Sequence, residues 1–264
     1  NILKKRSIKT AQLDTEILMA KTLDVNREYI ILNNNKILGK KNLEYFKKLV
    51  QERATRKPIA YLLNKKFFWN SEFYVNKNSL IPRPDTEIVI EQVLKLTKNK
   101  NKLSVLDIGV GSGCILLTIL KERKNFYGTG IDISKNSLNI CKKNAKNLLL
   151  EGRIKFYKSD VDKFNIGKYD LIVSNPPYLS EQDLLEMQPE LKSEPRMALD
   201  GGRDGYDFYR RLIPEAKHYL NSGGALAVEV GIGQAEKIST WFEEKSNASL
   251  NLGNLFKLNS TTAE

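Results

Sequence analysis

A glycine-rich turn between a strand and a helix constrains the fold of this chain more than any other segment. The apolar run 103–108 predicts a buried strand, and the apolar run 115–120 after the turn predicts a helix. A further predicted strand, 128–131, ends at Asp132, 23 residues after Gly109. Glycines let a backbone approach a ligand closely, and an acidic side chain at the next strand end can bind both ribose hydroxyls. The turn consists of Gly109, Val110, Gly111, Ser112 and Gly113.

The spacing of these glycines indicates which kind of ligand they face. A Gly-x-Gly-x-Gly pattern differs from the Gly-x-Gly-x-x-Gly pattern that holds a pyrophosphate, so it favours a nucleoside cofactor without pyrophosphate over NAD. A third predicted strand, 153–158, leads to Asp160 and Val161. Asp160 is placed to accept a hydrogen bond from an adenine amino group, although an ordinary turn residue explains it equally well.

The order of the remaining elements predicts the fold class. Strands at 170–174 and 225–230 alternate with helices, which is typical of a doubly wound, Rossmann-like parallel α/β sheet. The region beyond residue 246 loses this pattern, with at most a short strand at 255–258. The predicted helices cover residues 87–96, 134–150, 181–192, 206–220 and 234–245.

The fourth predicted strand ends in a stiff polar loop. Residues 170–174 are followed by Asn175, Pro176, Pro177 and Tyr178. Two successive prolines have fixed φ angles and lack N–H groups, so the chain leaves the sheet as a rigid extended segment. The Asn175 side-chain oxygen and the Pro176 carbonyl are then neighbouring acceptors suited to the two hydrogens of a planar NH2 group, on which Tyr178 can stack. The alternative is a turn that ends a core strand and leaves Asn175 solvated.

The first part of the chain predicts a separate small domain. Three apolar stripes spaced as in helices lie between residues 7 and 56, formed by Leu13, Ile17 and Leu18, by residues 29–32, and by Leu43, Phe46, Leu49 and Val50. We predict a helical domain at 1–66, with a substrate-docking role or a simple packing role, a linking β-hairpin at 67–86 and the cofactor domain at 87–264. Asp85 or Thr86 is expected to cap the helix that begins at Glu87.

Composition argues against several other kinds of site. His218 is the single histidine, and Cys114 and Cys141 are far apart in the sequence. Zinc sites, Cys–His nucleophiles and Ser-His-Asp triads are therefore not expected, and we predict no metal. The net charge of +12 is compatible with a nucleic-acid partner, but the lysines are spread along the whole chain. This even distribution slightly favours another explanation of the charge, namely that the source organism's proteins are generally rich in Lys and Asn.

The hydropathy of the chain predicts its compartment. No apolar run approaches the roughly 20 residues that a membrane helix needs, and residues 1–6 are not followed by the apolar core of a signal peptide. We predict a cytoplasmic monomer with no membrane partner. Because the chain begins at Asn1 rather than Met, we expect that residues precede it.

Several motifs in order resemble one known family. They are Pro58 to Leu62, Ile81 to Glu87, Val105 to Gly113, Asn175 to Tyr178, and Ala198 to Gly202. Between residues 11 and 245 the chain is similar to the class I S-adenosylmethionine-dependent methyltransferases of the HemK/PrmC type, the release factor glutamine N5-methyltransferases. No single motif decides the resemblance, but the set in this order is highly specific.

The resemblance implies a role for each candidate site residue. Residues 109–113 would line the methionine part of S-adenosyl-L-methionine, Asp132 would hold its ribose, and Asp160 and Val161 would flank its adenine. Asn175 to Tyr178 would grip the glutamine of the Gly-Gly-Gln loop in peptide chain release factors, the expected protein partners.

Two departures from the family pattern bear on these roles. Val161 stands where many relatives carry Trp, which predicts weaker stacking on adenine. Relatives also finish with a β-hairpin containing an Asp-x-x-Gly-x-x-Arg-like stretch that this chain lacks, which would leave the fifth strand as an exposed edge.

Two other activities remain open from the sequence. An adenine-N6 methyltransferase acting on DNA or RNA would use the same grip on an NH2 group, but a basic target-recognition domain is missing, so nucleic acid is not the expected substrate. A ribosomal-protein glutamine methyltransferase would differ at Pro82 to Glu87, where such relatives carry a Pro-Arg-Ser-Pro-like segment. A cofactor-binding or nucleic-acid-binding module without catalysis is the non-enzyme alternative, which the intact glycine turn and Asn175 loop disfavour.

Overall fold

The computed structural model of the protein describes residues 2–246, which form two compact units. The first contains the described residues up to Lys65 together with the short segment Gln188–Ser193. The second contains Lys66–Met187 and the described residues from Glu194 onward. The chain therefore passes from one unit to the other three times. The predicted strand at 255–258 lies outside the described residues.

The first unit is helical and has its own apolar core. Leu3, Leu18, Leu49 and Leu62 are among the residues buried in it. Its helices are α1 (Ile2–Lys5), α2 (Ala11–Leu23), α3 (Arg27–Leu32), α4 (Lys40–Ala54) and α5 (Ile59–Leu63).

Each of the three predicted apolar stripes is only partly buried or not buried; Leu43 in the third, for example, is 37% exposed. Asp14 on α2 is buried and accepts a hydrogen bond from Nε of Arg53 at 2.7 Å. The adjacent Leu13, predicted to be buried, is 40% exposed. Helix α3 buries none of its residues, so the predicted stripe at 29–32 does not contribute to the core. On α2 a paired charge, Asp14, therefore occupies the buried position beside Leu13.

Segment Gln188–Ser193 belongs to the first unit through the same charges. The Oε1 atom of Glu190 accepts hydrogen bonds from both terminal nitrogens of Arg53 at 3.1 Å and from Nη1 of Arg56 at 3.2 Å. Although burial opposes ionisation, its own backbone N–H and these guanidinium groups hold the pKa of Glu190 below its ordinary value. The ionised Glu190 carboxylate thus holds the segment beside two arginines.

A short hairpin and a loop open the second unit. Strands β1 (Lys65–Phe68) and β2 (Ser71–Tyr74) pair, which confirms the hairpin but ends it before the predicted limit. The residues after Tyr74 leave the sheet because a turn at Asn76 to Ser79 and the following prolines interrupt pairing. A single 3-10 turn, Pro84–Thr86, then leads into α6 (Glu87–Leu96), the predicted helix.

The five-stranded sheet confirms the predicted doubly wound α/β fold. All neighbouring strands are parallel, in the order β5-β4-β3-β6-β7. The strands are β3 (Ser104–Ile108), β4 (Tyr127–Asp132), β5 (Ile154–Lys158), β6 (Tyr169–Ser174) and β7 (Leu220–Val228). The remaining helices are α7 (Cys114–Glu122), α8 (Lys135–Asn147), α9 (Glu181–Glu186), α10 (Asp207–Tyr219) and α11 (Ala235–Ser246).

Helices cover both faces of this sheet. One core joins α6, α7 and α8 to the strands and includes Ile90, Leu116 and Cys141. The other core joins α10 and α11 to the opposite face and includes Tyr209 and Ile238. Among the described residues, β5 and β7 are the edge strands, and β7, the fifth predicted strand, spans Leu220–Val228 rather than 225–230.

Helix α9 is shorter than predicted. A capping box fixes its start, because Ser180 accepts from the N–H of Asp183 while the Asp183 carboxylate accepts from the N–H of Ser180. The helix ends at Glu186 rather than at 192, since Met187 has an extended backbone and Pro189 disfavours helix at the residue before it.

The strand order creates an opening at one point of the sheet. From β3 the chain proceeds to β4 and β5 on one side and later to β6 and β7 on the other. Connections therefore diverge at the carboxyl ends of β3 and β6, where open α/β sheets bind their ligands. The glycine turn follows β3, and Asn175 follows β6.

Candidate active site

A cavity of about 430 Å³ lies at this opening within the second unit. Its volume is in the range of ordinary small-molecule sites. Residues 109–112 line it, as do Asp132, residues 160–161 and residues 175–177. The fold thus brings together predicted site residues from the ends of β3, β4, β5 and β6. Gly113 and Tyr178 are the two predicted site residues that do not line the cavity.

The glycine turn adopts a backbone that other residues rarely accept. Gly109, Gly111 and Gly113 have φ angles of 76°, 55° and 83°. A Cβ on Gly109 would meet no atom within 4 Å, whereas one on Gly113 would lie 2.5 Å from Sγ of Cys141. Gly109 therefore leaves space for a ligand, and Gly113 lets α7 and α8 pack closely behind the turn.

Asp132 ties the glycine turn to the following loop. Its Oδ2 accepts from the N–H of Gly111 at 3.0 Å and its Oδ1 accepts from the N–H of Ser134 at 2.8 Å. Burial raises the pKa of Asp132, and these two N–H groups oppose the shift. Each oxygen keeps a second lone pair, which suits it to a pair of hydroxyl groups.

Asp160 has a cationic partner that the sequence did not indicate. Its Oδ1 accepts from the N–H of Val161 at 2.8 Å and lies 2.6 Å from Nη2 of Arg211 on α10. Although burial opposes ionisation, Arg211 and the Val161 N–H hold the pKa of Asp160 below its ordinary value. Val161 is buried in the second core as well as lining the cavity. Nothing in the sequence predicted Arg211, because it lies within an amphipathic helix.

The loop after β6 is anchored on both sides of Asn175. The Ser174 hydroxyl donates to the Ile108 carbonyl at 2.6 Å, which ties β6 to β3. The Asn175 amide donates through Nδ2 to Oγ1 of Thr86 at 3.1 Å. Pro176 is buried. Tyr178 packs against the second core and is not among the residues that line the cavity, and its carbonyl accepts from Gln234 at 3.1 Å.

Thr86 shows where sequence reasoning mistook a site residue for a helix cap. Its side chain makes no capping hydrogen bond to α6. Instead its hydroxyl donates to Oε2 of Glu229 at 2.6 Å. Glu229 follows β7 and was also missed, although an acidic residue at a strand end is the signal that indicated Asp132. The loop at 77–83 lines the cavity as well, and its turn-like composition did not distinguish it from a linker.

Asp107 makes the stability of this unit depend on pH. Burial raises its pKa to about 8, the Leu116 N–H opposes this, and Asp132 adds to it. Because the folded protein holds this proton well above the ordinary aspartate pKa, the contribution of Asp107 to stability is greatest at low pH and falls as pH rises towards 8. Asp107→Asn should therefore gain on wild type by about 1.4 kcal/mol per pH unit between about pH 5 and about pH 8. Urea unfolding at several pH values checks this, and a pH-independent difference would contradict it.

Within residues 2–246, no group of three or more His, Cys, Asp or Glu side chains is arranged to hold a metal ion. None of the helices in that range combines the length and apolar character needed to cross a bilayer.

The comparisons with known proteins bear on both units. The PrmC N-terminal domain family matches residues 1–63, and the Methyltransferase small domain family matches residues 85–200. A release factor glutamine methyltransferase from Geobacter sulfurreducens is 39% identical over 242 residues, 91% of this chain and 84% of that protein. The chain belongs to the release factor glutamine methyltransferase family.

A second relative of the same name agrees with this family, and a solved structure also aligns with the chain. A release factor glutamine methyltransferase from Clostridium acetobutylicum is 35% identical over 95% of this chain and 89% of its own length. Among solved structures, a ribosomal protein L11 methylase from Lactobacillus delbrueckii subsp. bulgaricus aligns with 23% identity and a TM-score of 0.44, over 64% of this chain and 72% of that one. The family makes this chain an S-adenosyl-L-methionine-dependent methyltransferase.

The cavity of this methyltransferase fits that cofactor. The open space in front of Gly109 accommodates a ligand against the backbone of the turn. The Asp132 carboxylate at the end of β4 suits a ribose diol, and Asp160 lies one strand further along the sheet.

Proposed function

We propose that the protein transfers a methyl group from S-adenosyl-L-methionine to the side-chain amide nitrogen (N5) of the glutamine in the Gly-Gly-Gln motif of peptide chain release factors. One observation carries the choice of acceptor group. Nδ2 of Asn175 is bonded to Thr86, whereas Oδ1 has no hydrogen-bond partner among the described residues. An acceptor oxygen is thereby left for a ligand NH2 group in the cavity that Asn175 lines.

The cofactor would be held by residues from three strand ends. Residues 109–112 would contact its methionine part, Asp132 its ribose, and Asp160 with Val161 its adenine. When bound, S-adenosyl-L-methionine supplies an electrophilic methyl group on its sulfonium. Gly113 would act indirectly, by allowing the close packing that shapes the turn.

The substrate amide needs activation because its lone pair is delocalised into its carbonyl. The Asn175 Oδ1 and the Pro176 carbonyl would accept the two amide hydrogens and so orient the nitrogen. They would also stabilise the positive charge that develops on that nitrogen during transfer. Pro177 keeps the loop stiff, which favours the bound geometry. The stacking role predicted for Tyr178 would require its ring to approach the cavity.

A general base is not required by this scheme. Burial raises the pKa of the cavity-lining Cys114 to about 12, so its thiol holds its proton at neutral pH. The surplus proton on the methylated amide is strongly acidic and can leave to water after transfer. Positioning and electrostatic stabilisation would therefore provide the rate acceleration.

A competition experiment tests the proposed substrate. The protein is incubated with S-adenosyl-L-methionine, a release factor and an adenine-containing oligonucleotide, and each product is analysed by mass spectrometry. We expect one methyl group on the Gly-Gly-Gln glutamine of the release factor and none on the oligonucleotide. Methylation of the oligonucleotide alone would contradict the proposal. In a second mixture that contains a ribosomal protein beside the release factor, methylation of the ribosomal protein in preference would contradict it as well.

We further propose that the chain has three parts, a helical domain at 1–66, a β-hairpin linker at 67–86 and a methyltransferase domain at 87–264. The helical domain would dock the release factor. Its surface carries exposed apolar side chains, including Ile31, Leu32 and Ile37, which are 50%, 82% and 99% exposed. Exposed apolar residues of this kind, close together in the sequence, favour binding of a protein partner. A modifier of translation factors would act in the cytoplasm. We also propose that the protein is a monomer, which light scattering checks.

Leu32→Asp tests the docking role. We expect KM for the whole release factor to rise about 5-fold or more, because exposed apolar anchors are costly to lose at interfaces. KM for a short Gly-Gly-Gln peptide should stay unchanged. Leu149→Asp is the matched control, since Leu149 is 89% exposed in the second unit. Equal effects of Leu32→Asp on factor and peptide would refute docking by this surface.

A further inference from the structure

Three side chains from distant segments of the sequence, two of which line the cavity, are joined by hydrogen bonds into a chain. Thr86, in the turn before α6, is 1% exposed. Its Oγ1 lies 2.6 Å from Oε2 of Glu229, which follows β7, and 3.1 Å from Nδ2 of Asn175, which follows β6. Thr86 and Asn175 line the cavity, whereas Glu229 lies behind them. The chain therefore joins a buried carboxylate to the proposed substrate acceptor.

The chemistry of the three groups gives this chain a direction. A hydroxyl has a single hydrogen, and an ionised carboxylate can only accept. With Glu229 ionised, the Thr86 hydrogen is committed to Glu229, and Thr86 can offer only a lone pair to Asn175. The amide must then turn Nδ2 towards Thr86, which leaves Oδ1 for a ligand.

The burial of Glu229 indicates a role other than stabilising the fold. The residue is 1% exposed, and its Oε1 has no hydrogen-bond partner among the described residues. Burying a carboxylate with one oxygen unsatisfied is costly. Burial raises the pKa of Glu229 to about 7, while the Thr86 hydroxyl and the Asn175 side chain, which also hydrogen-bonds to Glu229, oppose the shift. A costly, perturbed carboxylate behind a cavity is a functional candidate when geometry supports it.

We propose that Thr86 and Glu229 are positioning residues that orient the Asn175 amide so that its oxygen, not its nitrogen, faces the substrate NH2 group. The inference rests on the proposed function and deepens it. Protonated Glu229 can donate to Oγ1 of Thr86, which frees the Thr86 hydrogen for Oδ1 of Asn175. The reversed amide presents Nδ2, a donor that cannot accept the substrate hydrogens. Turnover should therefore fall when Glu229 is protonated.

Other titratable and charged groups face Glu229 from the elements packed around it. The Asp85 carboxylate favours its protonated form, and the Arg83 guanidinium favours its ionised form. Tyr209 on α10 donates its hydroxyl to the Glu229 carbonyl, and burial raises the pKa of that phenol. Cys114 on α7 also interacts electrostatically with Glu229, and its raised pKa keeps it neutral. Asp107 is a second buried carboxyl group with a raised pKa, about 8, and it still titrates in a Glu229 variant.

Substitutions at Thr86 separate positioning from general structure. Thr86→Val removes the hydroxyl and keeps the shape, and we expect kcat to fall about 10-fold or more. KM for the release factor and Kd for S-adenosyl-L-methionine should change less than about threefold. Thr86→Ser restores the hydroxyl and should recover most of kcat. Thr97→Val is the matched control, because Thr97 is buried in the same unit and its hydroxyl bonds only its own helix.

The pH dependence tests Glu229. The wild-type kcat should rise with pH through an inflection near 7, and Glu229→Gln should lack that inflection because a Gln amide does not titrate. A kcat of Thr86→Val within threefold of wild type would overturn the inference. So would a loss of kcat that Thr86→Ser does not recover, or a Glu229→Gln profile that keeps the inflection near 7.

A readout without turnover separates this inference from the proposed function. In the NMR spectrum of the full chain, the Asn175 side-chain amide, assigned by its absence in Asn175→Ala, should shift with a midpoint near pH 7. The shift should be absent in Glu229→Gln. A titrating Asn175 amide in a protein that methylates no release factor would refute the proposed function and leave the orientation standing. A non-titrating amide in an active enzyme would refute the orientation alone.

Discussion

Asn175→Ala should lower kcat for release factor methylation by about 10²–10³, as expected for the loss of one oxygen that stabilises charge in the transition state. The Asn175 Oδ1 is the side-chain acceptor of the proposed pair, and the Pro176 carbonyl remains in the variant. Kd for S-adenosyl-L-methionine should change less than about threefold, because the expected cofactor contacts lie at residues 109–112, Asp132 and Asp160. Single-turnover kinetics and calorimetry measure the two quantities separately.

Asn147→Ala is the control for this substitution, since Asn147 is exposed at the end of α8. It should leave both quantities at their wild-type values. A loss of cofactor affinity in Asn175→Ala as large as its loss of kcat would contradict the division of labour between Asn175 and the cofactor residues.

Asp132→Ala should raise Kd for S-adenosyl-L-methionine about 10- to 100-fold, since hydrogen bonds to a charged group contribute about 1.5–3 kcal/mol each. The variant also loses the acceptors of the Gly111 and Ser134 N–H groups. We therefore expect a lower Tm in addition. At saturating cofactor, kcat should recover to within about tenfold of wild type, because Asp132 is not proposed to touch the reacting nitrogen.

Asp204→Ala provides the comparison, because Asp204 is a surface aspartate that pairs with Arg210 outside the cavity. Calorimetry on the two variants should show a changed Kd for Asp132→Ala alone. An unchanged Kd in Asp132→Ala would remove Asp132 from the cofactor site.

Much of the fold followed from the sequence because the strongest patterns are local. Glycine, aspartate or an Asn-Pro-Pro sequence marks the ends of β3, β4 and β6, and the limits of β3, β4, β5 and β6 were predicted within one or two residues. Parallel pairing then brings their carboxyl ends to one edge of the sheet, which is why most predicted site residues line one cavity.

The errors arise where tertiary partners outweigh local signals. Leu13 was predicted to be buried, but the adjacent Asp14 is buried instead and pairs with Arg53. Thr86 has the sequence of a helix cap, and its actual partner, Glu229, lies 143 residues later in the chain. A local pattern contains no information about such a contact.

The substrate grip is similarly only half visible in the sequence. Asn175 and the two prolines predicted a stiff pair of acceptors, and the loop is indeed anchored at Ser174 and Thr86. The orientation of the amide, however, depends on which hydrogen Thr86 has left to offer. That information comes from a buried side chain outside the motif.

The most direct test of this account is a crystal structure with S-adenosyl-L-homocysteine and a peptide that contains Gly-Gly-Gln. The account predicts that the glutamine amide nitrogen lies about 3 Å from both the Asn175 Oδ1 and the Pro176 carbonyl oxygen. It also predicts that the Asn175 Nδ2 still donates to Thr86. A glutamine side chain bound elsewhere in the cavity, or an Asn175 amide that presents its nitrogen to the glutamine, would contradict the account.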